Sequence, residues 1–121
     1  MGLLDEILKI CLTITETDSA SLKSAYIDKK APSGPGVYKI FYKGQLMKVG
    51  KAEDGLRKRF SDYYRGPAVG TARLKYITSS NRDDVSVFWQ KCPASEARKI
   101  ETMWYDQARK KGEALPWSDR R

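Results

Sequence analysis

The stretch Val37-Tyr-Lys-Ile-Phe-Tyr42, Lys43-Gly44, Leu46-Met-Lys-Val49 constrains the fold more than any other part of the chain. The first run is β-branched and aromatic, which is the composition of a strand. Lys43-Gly44 is short enough for a two-residue turn, with glycine where a positive φ is needed. Leu46–Val49 then returns as the antiparallel partner, and Gly50 is expected to end it. Immediately upstream, Ala31-Pro-Ser-Gly-Pro-Gly36 packs two prolines and two glycines into six residues, too many for regular structure. It marks the start of the main domain. The expected organisation is an N-terminal helix and linker over 1–33, then one domain over 34–121.

Other elements follow from periodicity. Leu3, Leu4, Ile7, Leu8 and Cys11 recur at helical spacing, with Asp5, Glu6 and Lys9 on the other side. Residues 13–19 are polar and β-branched and read as a loop or a short strand; 20–30 are ambiguous. Asp54 can cap a helix over about 55–64 that turns Leu56, Phe60 and Tyr63 or Tyr64 inward. Gly66-Pro67 breaks it, and a weaker helix is expected over 68–79. Val85-Ser-Val-Phe-Trp89 reads as a third strand. Pro93 opens a long helix to about Lys111, closed by Gly112. The Leu115-Pro-Trp117 tail is apolar enough to dock. The expected fold class is α+β: a small three-stranded antiparallel sheet flanked by helices.

Composition narrows the chemistry. No apolar run approaches the ~18 residues of a membrane span, so no membrane partner is expected. Acids interrupt the apolar start, which argues against a secretory signal and for a cytoplasmic location. Two cysteines cannot make a disulfide scaffold or a four-ligand zinc site, and histidine is absent. Catalysis therefore has carboxylate, Tyr, Lys, Arg, Ser or Cys to work with. The net charge is +8 and it is uneven. Residues 36–75 carry ten Lys and Arg against three acids. Within that block, Lys39, Lys43, Arg57, Lys58, Arg65, Arg73 and Lys75 are candidates for a nucleic-acid-binding face, the alternative being a solvated basic surface.

Several residues could carry chemistry, each with a plainer explanation beside it. Glu101 shares or borders the apolar stripe formed by Ala97, Ile100, Trp104 and Ala108. A carboxylate there is costly unless paired, hydrated or bound to a cation, and one carboxylate can suffice for Mg²⁺ when substrate phosphate adds ligands. Arg59 and Tyr63 share one helix face and could hold phosphate, or Tyr63 could fill the core while Arg59 faces solvent. Lys51 follows Gly50, where a ligand could approach the backbone, or where the chain simply turns. Tyr38 could be an ordinary half-buried strand tyrosine.

Taken in order, Gly36-Val-Tyr38 and Lys48-Val-Gly50 resemble the paired motif of the GIY-YIG nucleases. Lys51-Ala52 is similar to the segment after that family's second motif. Leu56-Arg-Lys-Arg59 resembles the helix that carries its arginine, and Tyr63 fits its further tyrosine. Glu96–Glu101 resembles the helix bearing its metal-binding glutamate, and Leu115-Pro-Trp117 its closing segment. The resemblance spans about residues 34–118. Two positions depart from it: Lys48 stands where the second motif begins with tyrosine, and Ser118 where asparagine often follows the tryptophan.

The resemblance implies a small α+β domain that hydrolyses DNA phosphodiester bonds with one metal ion. It implies that Glu101 holds Mg²⁺ or Mn²⁺ and that Arg59 stabilises phosphate charge. It also implies that Tyr38 accepts a proton from the attacking water, with Lys48, Lys51 and Tyr63 nearby. A tyrosine with pKa ~10 needs about three pK units of help to do this at neutral pH. Period-two alternation places Lys48 on the strand face of Leu46, opposite Met47 and Val49. The alternatives are a catalytically weakened DNA-binding module on the same fold, or a basic RNA- or protein-binding domain. Sequence specificity would come from the N-terminal residues, from loops or from a homodimer.

Overall fold

A computed structural model describes residues 17–66 and 76–118. In chain order the elements are β1 (Thr17–Ser21), α1 (Leu22–Ile27), β2 (Gly36–Tyr42), β3 (Gln45–Ala52), α2 (Leu56–Arg65), β4 (Val85–Lys91) and α3 (Ala94–Lys110). A single 3₁₀ turn, Arg82–Asp84, leads into β4. The helix expected over 3–11 lies outside the described residues, as does the 68–75 part of the weaker helix. The remainder of that span, 76–79, is turn and irregular chain.

The fold is α+β, but its antiparallel sheet has four strands rather than three, in the order β1-β4-β2-β3. The additional strand is β1, which pairs with β4 from Thr17↔Gln90 to Ser21↔Ser86. Residues 17–27 therefore share a sheet and a core with residues 36–118. Lys43 and Gly44 form the hairpin turn, with φ of 52° and 78°. Positive φ at both positions matches the right-handed strand twist. β3 does not stop at Gly50; pairing continues to Gly36↔Ala52.

One irregularity decides which side chains face which layer. Ile40 pairs with Lys48, but Phe41 pairs with Leu46, so Met47 is an extra residue on β3. Such a bulge reverses the alternation along the strand. Leu46 and Val49 consequently pack together on the α3 side, while Met47 joins the core on the α2 side. Lys48, opposite Ile40, belongs to the face of Ile40 and Tyr38, not to that of Leu46 as simple alternation predicted.

The two faces bury separate layers. On one, α1 and α2 pack Leu22, Leu56, Phe60 and Tyr63 against Tyr38, Ile40, Val87 and Trp89. Full burial of each such Leu or Phe contributes ~1.5–3 kcal/mol. Leu56 and Phe60 turn inward as expected, and both Tyr63 and Tyr64 do so rather than one of them. On the other face, α3 sets Ala97 against Val37, and Tyr105 and Ala108 against Leu46 and Val49. The tail straddles the β3 edge. Leu115 packs on the α3 side and Trp117 on the α2 side. The Trp117 N–H donates to the Met47 carbonyl at 3.0 Å, closing the edge at the bulge.

Candidate nucleic-acid and phosphate site

The most concentrated polar cluster lies where α2 meets the β2–β3 hairpin. Tyr38 and Tyr63, 25 residues apart, bring their hydroxyls to 2.5 Å in an almost fully buried pair. Their rings meet edge to face, with centroids 5.9 Å apart, and Phe60 packs edge-on against Tyr38 at 5.5 Å. Gly50 makes this possible. It pairs directly with Tyr38, and a Cβ on Gly50 would lie 2.5 Å from the tyrosine hydroxyl and ring.

Arg59, one helical turn before Tyr63, completes the cluster. Its Nη1 donates to the Lys51 carbonyl at 2.9 Å, and its Nη2 donates to Asp54 Oδ1 at 3.3 Å. Its Nε is buried and has no acceptor among the described residues. Burial opposes the guanidinium charge, while the Tyr38 and Tyr63 oxygens beside it favour the charged form. Asp54 does not cap α2, as was expected. Gly55 occupies the cap position without a side-chain bond. Asp54 lies too far out and instead pairs with Arg59 and, at 3.2 Å, with Lys58. Slight burial works the other way, but Lys58 and Arg59 hold the Asp54 carboxyl below the ordinary carboxylate range.

Its surroundings work against the role of base expected for Tyr38. Burial, then the neighbouring Tyr63 hydroxyl, push its pKa well above the ordinary tyrosine value, and the pull of Arg59 does not offset them. Of the positive charges expected to lower it, Arg59 does so, and desolvation outweighs it. Tyr38 is a neutral hydroxyl at physiological pH.

The remaining expected residues distribute over both faces. Lys48 sits half-buried in the register row next to Tyr38–Gly50. Lys51 pairs with Val37, and so faces the α3 side; its ammonium meets Glu53 at 3.5 Å. Glu101 lies on α3, half-buried on the core-facing stripe midway between Ala97 and Tyr105. That stripe packs on Val37 of β2, the partner of Lys51, and on Val49 of β3. Thus Tyr38, Tyr63 and Arg59 meet on one face, while Lys51 and the helix that carries Glu101 belong to the other.

Among the described residues, the basic side chains form no single face. Lys39 lies on the α3 side, its ammonium 5.1 Å from the Trp104 ring centroid and 5.7 Å from that of Phe88. Burial, then Lys111, lowers its pKa. Arg57 clips α2 to the preceding loop through the Ala31 carbonyl at 2.9 Å. Lys58 and Arg65 are exposed and lean toward the buried Asp62 at 3.6 and 3.7 Å. Lys43 is exposed at the hairpin turn. Arg73 and Lys75 lie outside the described residues. Sequence reasoning missed Asp54, whose spacing five residues before Arg59 was the available signal. No helix among the described residues is long and apolar enough to cross a membrane. Comparison with protein-family models, with curated proteins and with solved structures found no match to this chain.

Proposed function

We propose that the protein is a metal-dependent DNA endonuclease of the GIY-YIG type, hydrolysing phosphodiester bonds at the β3 edge. The observation that carries this reading is that Tyr38 from β2, packed on Gly50, meets Tyr63 of α2, while Arg59 from the same helix reaches the Lys51 carbonyl of β3. Two tyrosine hydroxyls beside a guanidinium with a spare buried donor suit a phosphate, whose oxygens accept charge-assisted hydrogen bonds.

Glu101 is the residue that would hold Mg²⁺ or Mn²⁺. No group of three Asp, Glu, Cys or His residues that could hold a metal occurs among the described residues. A lone carboxylate fits a hard cation that takes its other ligands from water and substrate phosphate. A cation held by Glu101 would contribute positive charge near the scissile phosphate and its leaving oxygen. Arg59 exchanges its contact with Asp54 for a phosphate oxygen and stabilises the charge that develops there. The Tyr38–Tyr63 hydroxyls remain protonated and orient the attacking water by hydrogen bonding; the water gives up its proton to solvent as the new P–O bond forms, and the leaving oxygen takes one from solvent as the old bond breaks. Lys48 and Lys51 add positive charge from the two faces of the same strand.

The burial of Tyr38 favours a second reading, a DNA-binding module that has lost turnover. Incubation with supercoiled plasmid, branched DNA and single-stranded DNA, in Mg²⁺ and in EDTA, separates the two. Cleavage that requires Mg²⁺ supports the nuclease. Binding without cleavage supports the module, and neither binding nor cleavage contradicts both.

A further inference from the structure

The proposed chemistry uses the β3 edge and leaves the far half of the α3-side sheet face without a role. There α3 packs over β2 and β3, while Ser19 of β1 and Ser86 of β4 stay exposed beside it. Strand pairing sets Ser19, Phe88 and Lys39 in one row across β1, β4 and β2, with Ser86 and Phe41 in a parallel row. These residues line an open groove of about 470 Å³. That volume falls within the ~300–1,000 Å³ of small-molecule sites. The groove runs out at Gly44, where even a Cβ would meet no atom within 4 Å.

One charge stands in this groove without a counter-charge. The Lys39 side chain is half-buried, and its ammonium rests against the Phe88 and Trp104 rings. Those rings pack on each other with centroids 5.9 Å apart, so β4 and α3 hold the cation from two sides. Among the described residues, no carboxylate comes within ion-pair distance of it. Burial and Lys111 act against the charge, and Glu113 favours it from farther off. A lysine that merely covers an apolar layer lays its stem on the rings and keeps its ammonium in water. Lys39 departs from that pattern, because the ammonium itself lies against the rings. An anion in the groove supplies the missing partner, at a depth where salt screens the pair less than at the surface.

The lining narrows the ligand. A single ammonium matches a monoanion, and among the described residues no arginine lines the groove to grip a phosphate through two parallel bonds. The Ser19 and Ser86 hydroxyls can donate to a carboxylate oxygen. Phe41 and Phe88 offer ring surface to an aromatic body. We propose that the groove binds a small aromatic carboxylate, its charge on Lys39 and its ring along Phe41 and Phe88. The site is separate from the Tyr38–Tyr63–Arg59 cluster on the other sheet face and does not rest on the nuclease reading.

The test is titration of the ¹⁵N-labelled full chain with 4-phenylbutyrate, followed through the backbone amide shifts. Saturable shifts at Lys39, Phe41, Ser86 and Phe88 are expected, with a Kd of about 1 mM or tighter for a ligand of this size. 4-Phenylbutanol keeps the body without the charge and is expected to bind at least roughly 10-fold more weakly, the loss of one charge-assisted bond. Lys39→Met should weaken phenylbutyrate to the level of the alcohol, and Lys39→Arg should restore most of the affinity. Equal affinity of the wild type for carboxylate and alcohol would overturn the proposal, and this comparison needs no variant to fold. Shifts confined to other residues, or no saturable shift up to about 10 mM, would overturn it as well. So would a dimer in sedimentation whose contact covers Phe41 and Phe88 and excludes the carboxylate. None of these readouts involves nucleic acid, so failure of the nuclease reading leaves them unchanged.

Discussion

Tyr38 and Gly50 face each other across β2 and β3, and the tyrosine ring occupies the space that any side chain at Gly50 would fill. The glycine thereby lets the Tyr38 hydroxyl reach Tyr63 over the edge strand. In Gly50→Ala the new methyl must displace the buried ring or bend β3. Overpacking of this kind costs about 1–3 kcal/mol, so the melting temperature should fall by roughly 4–15 °C. Thermal denaturation followed by circular dichroism checks this. An unchanged Tm would mean that the ring relocates at no cost.

The two hydroxyls should be energetically coupled. Tyr38→Phe and Tyr63→Phe each leave a buried partner with one hydrogen bond fewer, whereas the double variant removes both groups. A double-mutant cycle in urea should therefore give a coupling of about 0.5–3 kcal/mol. Additive single losses would show that the pair contributes nothing as a pair.

Stability should fall in alkali for a nameable reason. Burial, then Tyr63, raise the folded-state pKa of Tyr38 above its unfolded value near 10. Its contribution is thus fully present below pH ~10, where both states hold the proton. Above that, the unfolded state loses its proton first, and the contribution declines as pH rises toward the folded pKa. Tm measured from pH 8 to 11 should drop more steeply in wild type than in Tyr38→Phe. Parallel curves would contradict the raised pKa. For the same reason, the cleavage rate should show no plateau set by an ordinary tyrosine.

Lys48 should matter to turnover and not to folding. The bulge places it on the face of Tyr38, half-buried at an edge strand. Lys48→Met removes a charge that favours phosphate and is expected to lower the cleavage rate several-fold at unchanged Tm. Lys48→Tyr should keep part of the activity, since the resembled family carries tyrosine there. An unchanged rate for Lys48→Met would move Lys48 out of the site.

The hairpin, β4, α2 and α3 were legible because each has its own periodicity or turn residues. Lys43-Gly44 and the inward set Leu56, Phe60 and Tyr63 are examples. β1 was only half legible: residues 13–19 read as a loop or a short strand, because Thr-Asp-Ser-Ala-Ser is a polar edge strand with little apolar alternation, defined by pairing with β4. The Met47 bulge was invisible, because alternation assumes an unbroken ladder. Within the site, the spacing of Arg59 and Tyr63 was readable on one helix. The desolvation of Tyr38 was not, because it depends on Phe60, Tyr63 and Gly50 closing around the hydroxyl.

Glu101 offers the most direct test of metal-dependent cleavage at the β3 edge. The decisive measurement is single-turnover cleavage of labelled DNA in Mg²⁺ by wild type and Glu101→Ala, with DNA affinity and Tm measured in parallel. The account predicts that cleavage by the variant falls to the EDTA background, while affinity changes by less than about threefold and Tm by less than about 3 °C, because a half-buried carboxylate that anchors a cation is not part of the packed core. Undiminished Mg²⁺-dependent cleavage by Glu101→Ala, or its failure to fold, would contradict the account.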